Sequence, residues 1–344
     1  MKLFLIRNVG NLRFWLVHSL VNMPRNHAIH YSKVNEKPVP TFAVSASWGW
    51  VGMVLLLVGL FFGLCPRPVA ISVEPVPIQA DDRRWAQMIG SISGVISHYD
   101  GDVGLYIKDL KTGRTFEKDA DKPFVSASLI KLPIMVAAFE AINEGRLSLS
   151  SRMALKRNFR RGGSGRLKWA RSGSAYSVSS LIYEMITRSD NTATAMVIDR
   201  LGYDYLNQTF EKLGLMTTRI NPSGMSLADR LRSDKDNYTT AREMGFLLEQ
   251  IYNRKMVNSA LSDAMLEILK GVNSHSRLST YLPRTWKLAH KTGLLRRNCH
   301  DVGIVFSPDG DYILCVLTGH LGNYRKAKGV IASVGQKAYA YMGS

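Results

Sequence analysis

The chain has 344 residues, 46% of them apolar, which is enough to close one large core with further segments outside it. Lysine and arginine outnumber acids 45 to 27, a formal net charge of +18 that favours anionic partners. No internal repeat or low-complexity run is present, and none of the eight histidines stands in a metal-ligand spacing, which sets a zinc hydrolase aside. No cofactor is expected.

Residues 1–42 form a basic leader carrying Lys2, Arg7, Arg13, Arg25, Lys33 and Lys37 against Glu36. Ala43 to Leu64 then runs 22 residues without a charge, close to the roughly 20 that span a bilayer. Trp48 and Trp50 suit an interfacial belt, and the basic excess predicts a cytoplasmic N-terminus with the rest of the chain outside. A cleaved signal peptide is the rival reading, with Ala70-Ile-Ser72 as its cleavage site, and Met23 would give a shorter start. An uncleaved single-pass anchor in the cell membrane is the reading adopted. Residues 65–80, with Pro66, Pro68, Pro75 and Pro77, read as a stiff linker.

The remaining residues, 81–344, read as one domain. Asp81 or Asp82 can cap a helix whose apolar face is Trp85, Met88, Ile89, Ile92, Val95 and Ile96. Gly104 to Leu110 and Arg114 to Lys118 form a hairpin, and from Phe124 to about Leu282 helix follows helix with no strand. Leu288 to Leu295, Val302 to Phe306 and Tyr312 to Thr318 are strands, the last two joined at Pro308-Asp-Gly310. A final helix buries Ala327, Val330, Ile331, Val334, Ala338 and Tyr341. The predicted class is α+β, a five-stranded antiparallel sheet from residues 81–122 and 284–344, flanked by terminal helices, with an all-helical insertion over 123–283. A hairpin at Asp309-Gly310 sets Cys315 opposite about Ile304 and leaves Cys299 some five residues out of register, so no disulfide is expected.

Chemistry concentrates in three short motifs. Ser128-Leu-Ile-Lys131 opens an apolar helix, so Ser128 sits at or near a helix N-terminus with the Lys131 amine on the same face. Serine is a weak nucleophile until a neighbouring base takes its proton, and a desolvated lysine can be that base. Ser189-Asp-Asn191 follows at a helix break, and Lys291-Thr-Gly293 lies in a strand-like run. Ser128/Lys131 is the sole Ser-x-x-Lys of the sequence. A second Lys-Thr-Gly, Lys111 to Gly113, precedes the nucleophile and reads as a hairpin turn.

In this order the three motifs resemble those of class A β-lactamases and penicillin-binding proteins over about residues 81–344. The resemblance implies an acyl-enzyme formed through Ser128 with a β-lactam or a D-Ala-D-Ala-type cell-wall peptide. It makes Lys131 the base and Ser189 the proton relay to the leaving nitrogen. It gives Asn191 the substrate's amide side chain, assigns Lys291, Thr292 and Gly293 to the carboxylate strand, and uses backbone N–H groups of Ser128 and Leu294 as the oxyanion hole. The usual carboxylate-binding arginine is replaced by His300, with Arg296 and Arg297 nearby. The deacylating Glu-x-x-Leu-Asn motif is missing, since Lys212 to Arg242 holds no glutamate, and Asp229 is the acid nearest its expected place. Acylation is therefore expected to outlive efficient deacylation. The alternatives are a fully competent β-lactamase using Asp229 and a non-enzymatic penicillin sensor or wall-binding module. Lys156 to Arg171 carries seven basic residues and no acid, reading either as contact with an anionic surface or polymer or as a solvated loop. Its glycine cluster lacks the ending of a phosphate loop, and a translocated domain is not expected to meet nucleic acid.

Overall fold

The computed structural model describes residues 80–222, 236–295, 297–320 and 322–342. The apolar stretch Ala43–Leu64, Asp229 and Arg296 lie outside them. Among the described residues no helix is long and apolar enough to cross a membrane.

Helix α1 (Ala80–Ser97) begins one residue before Asp81 and Asp82, so both acids lie inside its first turn, where they favour the positive end of the helix dipole. It buries Met88, Ile92 and Ile96. Strands β1 (Asp102–Asp109) and β2 (Thr115–Lys118) form the expected hairpin. Lys111-Thr-Gly113 is its turn: Asp109 Oδ1 accepts from the N–H groups of Lys111 and Thr112, and Gly113 takes a φ of +77°. A short strand β3 (Phe124–Val125) leads into a 3₁₀ turn, Ala127–Ile130, and then α2 (Lys131–Asn143). Apart from Glu140, Ile142 and Asn143, every residue of α2 is buried, which makes it the axis of the helical part. Strands β4 (Arg152–Ala154) and β5 (Ala175–Ser177) and helices α3 (Val178–Thr187), α4 (Asn191–Leu201) and α5 (Tyr203–Lys212) follow. After β6 (Tyr238–Thr239), α6 (Ala241–Tyr252) and α7 (Ser259–Lys270) complete the insertion. The chain then forms β7 (Lys287–Leu295), β8 (Asn298–Phe306), β9 (Tyr312–Gly319) and α8 (Tyr324–Met342).

The five long strands make one antiparallel sheet, as the sequence predicts, and its strand order is β2-β1-β9-β8-β7. Alternation along β9 sends Tyr312, Leu314 and Val316 to one face, with α1 and α8, and Ile313, Cys315 and Leu317 to the other, with α2 to α7. Both faces are covered, so β9 is buried along its whole length.

Two expectations are corrected. The helical part holds two small antiparallel ladders, β3 with β6 and β4 with β5, formed by strands of two or three residues, too short to display an alternating pattern. Val305 pairs with Tyr312, so the β8–β9 connection is longer than a tight two-residue turn and Cys315 lies opposite Val302, not Ile304. Cys299 lies opposite Thr318, and the odd offset from Cys315 puts the two thiols on opposite faces of the sheet, where both stand free and buried.

Candidate active site

Three segments meet where the helical part joins β7. The first is the turn before α2. Ser126 N donates to Asn237 O at 2.7 Å, and Leu129 N donates back to Ser126 O at 2.9 Å. Between them Ala127 is held at a φ of +48°, a left-handed conformation that costs a non-glycine residue about 1 kcal/mol or more. Ser128 follows in the 3₁₀ turn, half-buried, and Lys131 is the first residue of α2. Strand β7 packs directly on this turn: a Cβ on Gly293 would meet His300 Cδ2 at 3.0 Å, Ser126 O at 3.2 Å and Leu129 Cγ at 3.3 Å, so any side chain there would have to push these neighbours back.

The second segment is Ser189-Asp-Asn191. Ser189 has a φ of +53°, and Asp190 caps α4 by accepting from Thr192 N and Ala193 N through Oδ1. Its Oδ2 accepts from Arg166 N at 2.7 Å and Leu167 N at 2.8 Å, which ties the basic loop to the motif. Gly165, at a φ of +96°, lets that loop come so near that a Cβ would sit 2.2 Å from the Asp190 carboxyl.

The third segment is Lys291-Thr-Gly293 on β7. Lys131 and Lys291 are each 1% exposed, and the Ser189 hydroxyl stands between them, 3.2 Å from Lys131 Nζ and 3.1 Å from Lys291 Nζ. Lys131 Nζ also donates to Ser189 O at 2.7 Å and to Asn191 Oδ1 at 2.6 Å, and Lys291 Nζ to Thr292 O at 2.9 Å. Burial, reinforced by the Lys291 charge, holds the Lys131 amine well below the ordinary lysine value. Burial also lowers Lys291, to about 7, with Asp301 opposing and Arg277 adding to the shift. A neutral Lys131 has two hydrogens, which its two carbonyl acceptors use, and one lone pair left to receive a proton.

Ser128, Lys131, Asn191 and Leu294 line one cleft of about 630 Å³, which continues past the basic-loop residues 158–164 and along α4 to Asp199 and Tyr203. Asn191 gives Oδ1 to Lys131 and one Nδ2 hydrogen to Gly162 O, at 2.7 Å, which leaves its second Nδ2 hydrogen for a ligand. Thr292 is half-buried beside Lys291. In the basic loop Trp169 is 81% exposed beside the Lys168 ammonium.

His300 is a correction. It lies opposite Gly293, fully buried, with Nε2 against Val125 O at 2.8 Å and Nδ1 accepting from Thr318 N at 3.2 Å. Burial lowers its pKa to about 4, so the ring is neutral and has no nitrogen left for a substrate carboxylate. The arginine whose charge bears on Lys291 is Arg277, absent from the sequence expectations. It is 7% exposed at a φ of +62°, with Nε donating to Cys299 Sγ at 3.3 Å. Nothing local in the sequence marks it, because its neighbours come from β7 and β8. Asp190, inside the motif, had no role in the sequence expectations; its N-cap bonds and its grip on the basic loop emerge from the fold. Among the described residues no group of three or more histidines, cysteines or acids could hold a metal ion.

Where Lys212 to Arg242 lacks a glutamate, Asn221 N donates to Asn237 Oδ1 at 2.7 Å across the neck of the segment. The next acid, Glu243, accepts from Thr217 N, Thr218 N and Thr218 Oγ1, so it pins that neck.

A model of the β-lactamase enzyme family matches residues 88–342. Among curated proteins, a β-lactamase of Streptomyces fradiae is 26% identical over 233 residues, 65% of this chain and 75% of that one. Among solved structures, a β-lactamase from Sphaerobacter thermophilus superposes with a TM-score of 0.68 at 25% identity, covering 75% of this chain and 97% of that one. The structure of PBP-A gives a TM-score of 0.68 at 31% identity, covering 74% and 95%. A point mutant of PBP-A is known as an acyl-enzyme complex with penicillin G.

Proposed function

Because the chain belongs to the β-lactamase enzyme family, we propose that it forms an acyl-enzyme through Ser128 with a β-lactam or a D-Ala-D-Ala-type peptide and releases that acyl group slowly. The observation that carries this reading is the buried Lys131–Ser189–Lys291 relay opening on the cleft that holds Ser128.

In the proposed reaction neutral Lys131 takes the Ser128 hydroxyl proton while Oγ attacks the carbonyl carbon. The oxyanion is met by the N–H groups of Ser128 and Leu294, donors fixed in place before charge develops. The proton passes through the Ser189 hydroxyl to the leaving nitrogen as the C–N bond breaks. From a peptide that nitrogen departs with the terminal amino acid; from a β-lactam it stays tethered in the opened ring. Protonated Lys291, with Arg277 behind it, attracts the substrate carboxylate, and Asn191 and Thr292 orient the two ends of the substrate. Hydrolysis of the ester then needs a base for water, and the segment before Arg242 supplies no glutamate. The mutant of PBP-A solved as an acyl-enzyme complex with penicillin G supports acylation by a β-lactam on this fold.

The test is covalent labelling with a tagged penicillin, expected at one label per chain and lost in Ser128→Ala. Full labelling of that variant would place the nucleophile elsewhere. The competing non-enzymatic sensor predicts no turnover of a chromogenic β-lactam at all, even over hours. The leader and Ala43–Leu64 support an anchored domain outside the cell membrane. Intact protoplasts should therefore leave residues 81–344 open to added protease. The basic loop with exposed Trp169 supports contact with an anionic polymer at the cleft rim.

A further inference from the structure

We propose that the outer face of the basic loop, built on Trp169, binds a polysaccharide whose sugar rings carry carboxylates. The inference rests on the proposed contact with an anionic polymer and gives that polymer its chemistry.

The loop between β4 and β5 has two faces. Residues 158–164 line the cleft, whereas Lys156, Arg157, Trp169 and Arg171 do not. Trp169 is 81% exposed at the end of the 3₁₀ turn Leu167–Trp169. An indole can bury about 150–250 Å², and a loop that is merely solvated has no use for one. The turn beneath it is braced from both sides. Asp190 Oδ2 accepts from Arg166 N and Leu167 N, and Leu167 is buried. The Arg160 guanidinium donates to Lys168 O, to Ala170 O at 2.6 Å and to Ser172 Oγ at 3.2 Å. A platform held in place before contact loses less conformational entropy on binding.

The Lys168 ammonium stands over the indole, 5.5 Å from its centroid, and donates to Gly163 O, which leaves it two further hydrogens. At 81% exposure the other side of the ring is open. Its electron-rich face suits a pyranose, whose C–H groups carry slight positive charge. Trp169 is the one exposed aromatic of the loop, so it takes a single ring, whereas single-stranded nucleic acid is held by successive aromatics.

The surroundings are positive. Leu155 N donates to Ser174 O and Gly173 N to Leu155 O, each at 2.8 Å, which brings Lys156-Arg157 beside Arg171-Ser172 where the β4–β5 ladder ends. Lys156, Arg157 and Arg171 are exposed and have no ion pair among the described residues. The acids that bond to the loop are already engaged, Glu184 by Arg166 and Arg188 and Asp190 by backbone N–H groups. Lys168 and Arg171 flank the indole within two residues, so the ligand's acid belongs on the stacked sugar or the next one, as in a polyuronate. Arg171 supplies a planar fork for that carboxylate.

The experiment measures binding of the purified full chain to a short oligogalacturonate, to its uncharged methyl ester and to polyphosphate of matched charge. The oligogalacturonate should bind more tightly than either. Trp169→Ala should weaken it about three- to tenfold, the scale of one aromatic contact, and leave polyphosphate unchanged. Arg171→Gln should weaken both anions by up to about fivefold and leave the methyl ester unchanged. Both side chains are exposed, so an unaltered melting temperature in each variant shows that the fold is kept. Polyphosphate binding as tight as that of the oligogalacturonate, with Trp169→Ala without effect on either, leaves a polyanion contact standing and overturns the sugar. Tighter binding of a single-stranded oligonucleotide or of phosphatidylglycerol vesicles, lost in Trp169→Ala, overturns it as well. If no anion binds, the anionic-polymer reading itself falls and this inference falls with it, while Ser128 acylation is untouched.

Discussion

Lys291 has a pKa of about 7 because the fold removes its ammonium from water without giving it a close carboxylate partner. Unfolded, the same group titrates near the ordinary lysine value of 10.5. Between about pH 7 and 10.5 the unfolded chain therefore holds a proton that the folded chain lacks, and stability rises with pH across that window. Below pH 7 both states are protonated and the burial cost is complete. Lys291→Met should accordingly raise stability by roughly 1–4 kcal/mol at pH 6 and by little near pH 10, while acylation collapses. Thermal melts of both proteins at the two pH values read this directly; a variant less stable at pH 6 would contradict it. In the rate profile the same titration appears as an alkaline loss of kcat/KM near pH 7, because a neutral Lys291 no longer attracts the substrate carboxylate. A penicillin methyl ester, which has no carboxylate for Lys291 to hold, should lose that alkaline limb. The motif residues were legible in the sequence because each motif is local. His300 was not, because counting along a strand gives a register position but not the direction in which a ring finds its acceptors.

Among elements, β8 shows why strand boundaries were harder to read than strand existence. The sequence starts it at Val302, yet it begins at Asn298, because the buried polar run His300-Asp301 interrupts the apolar pattern. Folding satisfies that run through tertiary partners: Asp301 takes His290 Nδ1 at 2.9 Å and Leu278 N at 3.2 Å, and His300 takes Val125 and Thr318. The neck before α6 works similarly. Thr240 Oγ1 caps α6 by accepting Glu243 N, while the Glu243 carboxylate reaches back to Thr217 and Thr218. Glu243→Ala strands two backbone donors and a hydroxyl, at about 1–3 kcal/mol for an unmet buried group. Its melting temperature should fall, while stoichiometric labelling of Ser128 and the ratio of burst to steady turnover stay unchanged. A selective loss of steady turnover would instead make Glu243 the missing deacylation base.

For the whole molecule, the +18 charge and the five-stranded α+β plan were both readable from composition and periodicity. The way the fold gathers the groups proposed for acylation was not. The groups proposed for acylation come from the α2 turn, the start of α4 and β7, all packed on one helical-face core, so their geometry is fixed before substrate arrives. A base for the second step would have to reach the same ester. Among the described cleft-lining residues the carboxylate present is Asp199, about 12 Å along α4 from Asn191, far beyond the roughly 3 Å over which a general base acts. Asp229, outside the described residues, is the sequence's remaining candidate. Purified protein should therefore consume one equivalent of β-lactam in a fast burst and then turn over at a much slower rate set by deacylation. Asp229→Asn should leave the burst amplitude intact and slow the phase that follows. Rapid linear turnover with no burst, indifferent to Asp229→Asn, would mean that water is activated by a group already within reach of Ser128, and the relay lysines would then be the first to test.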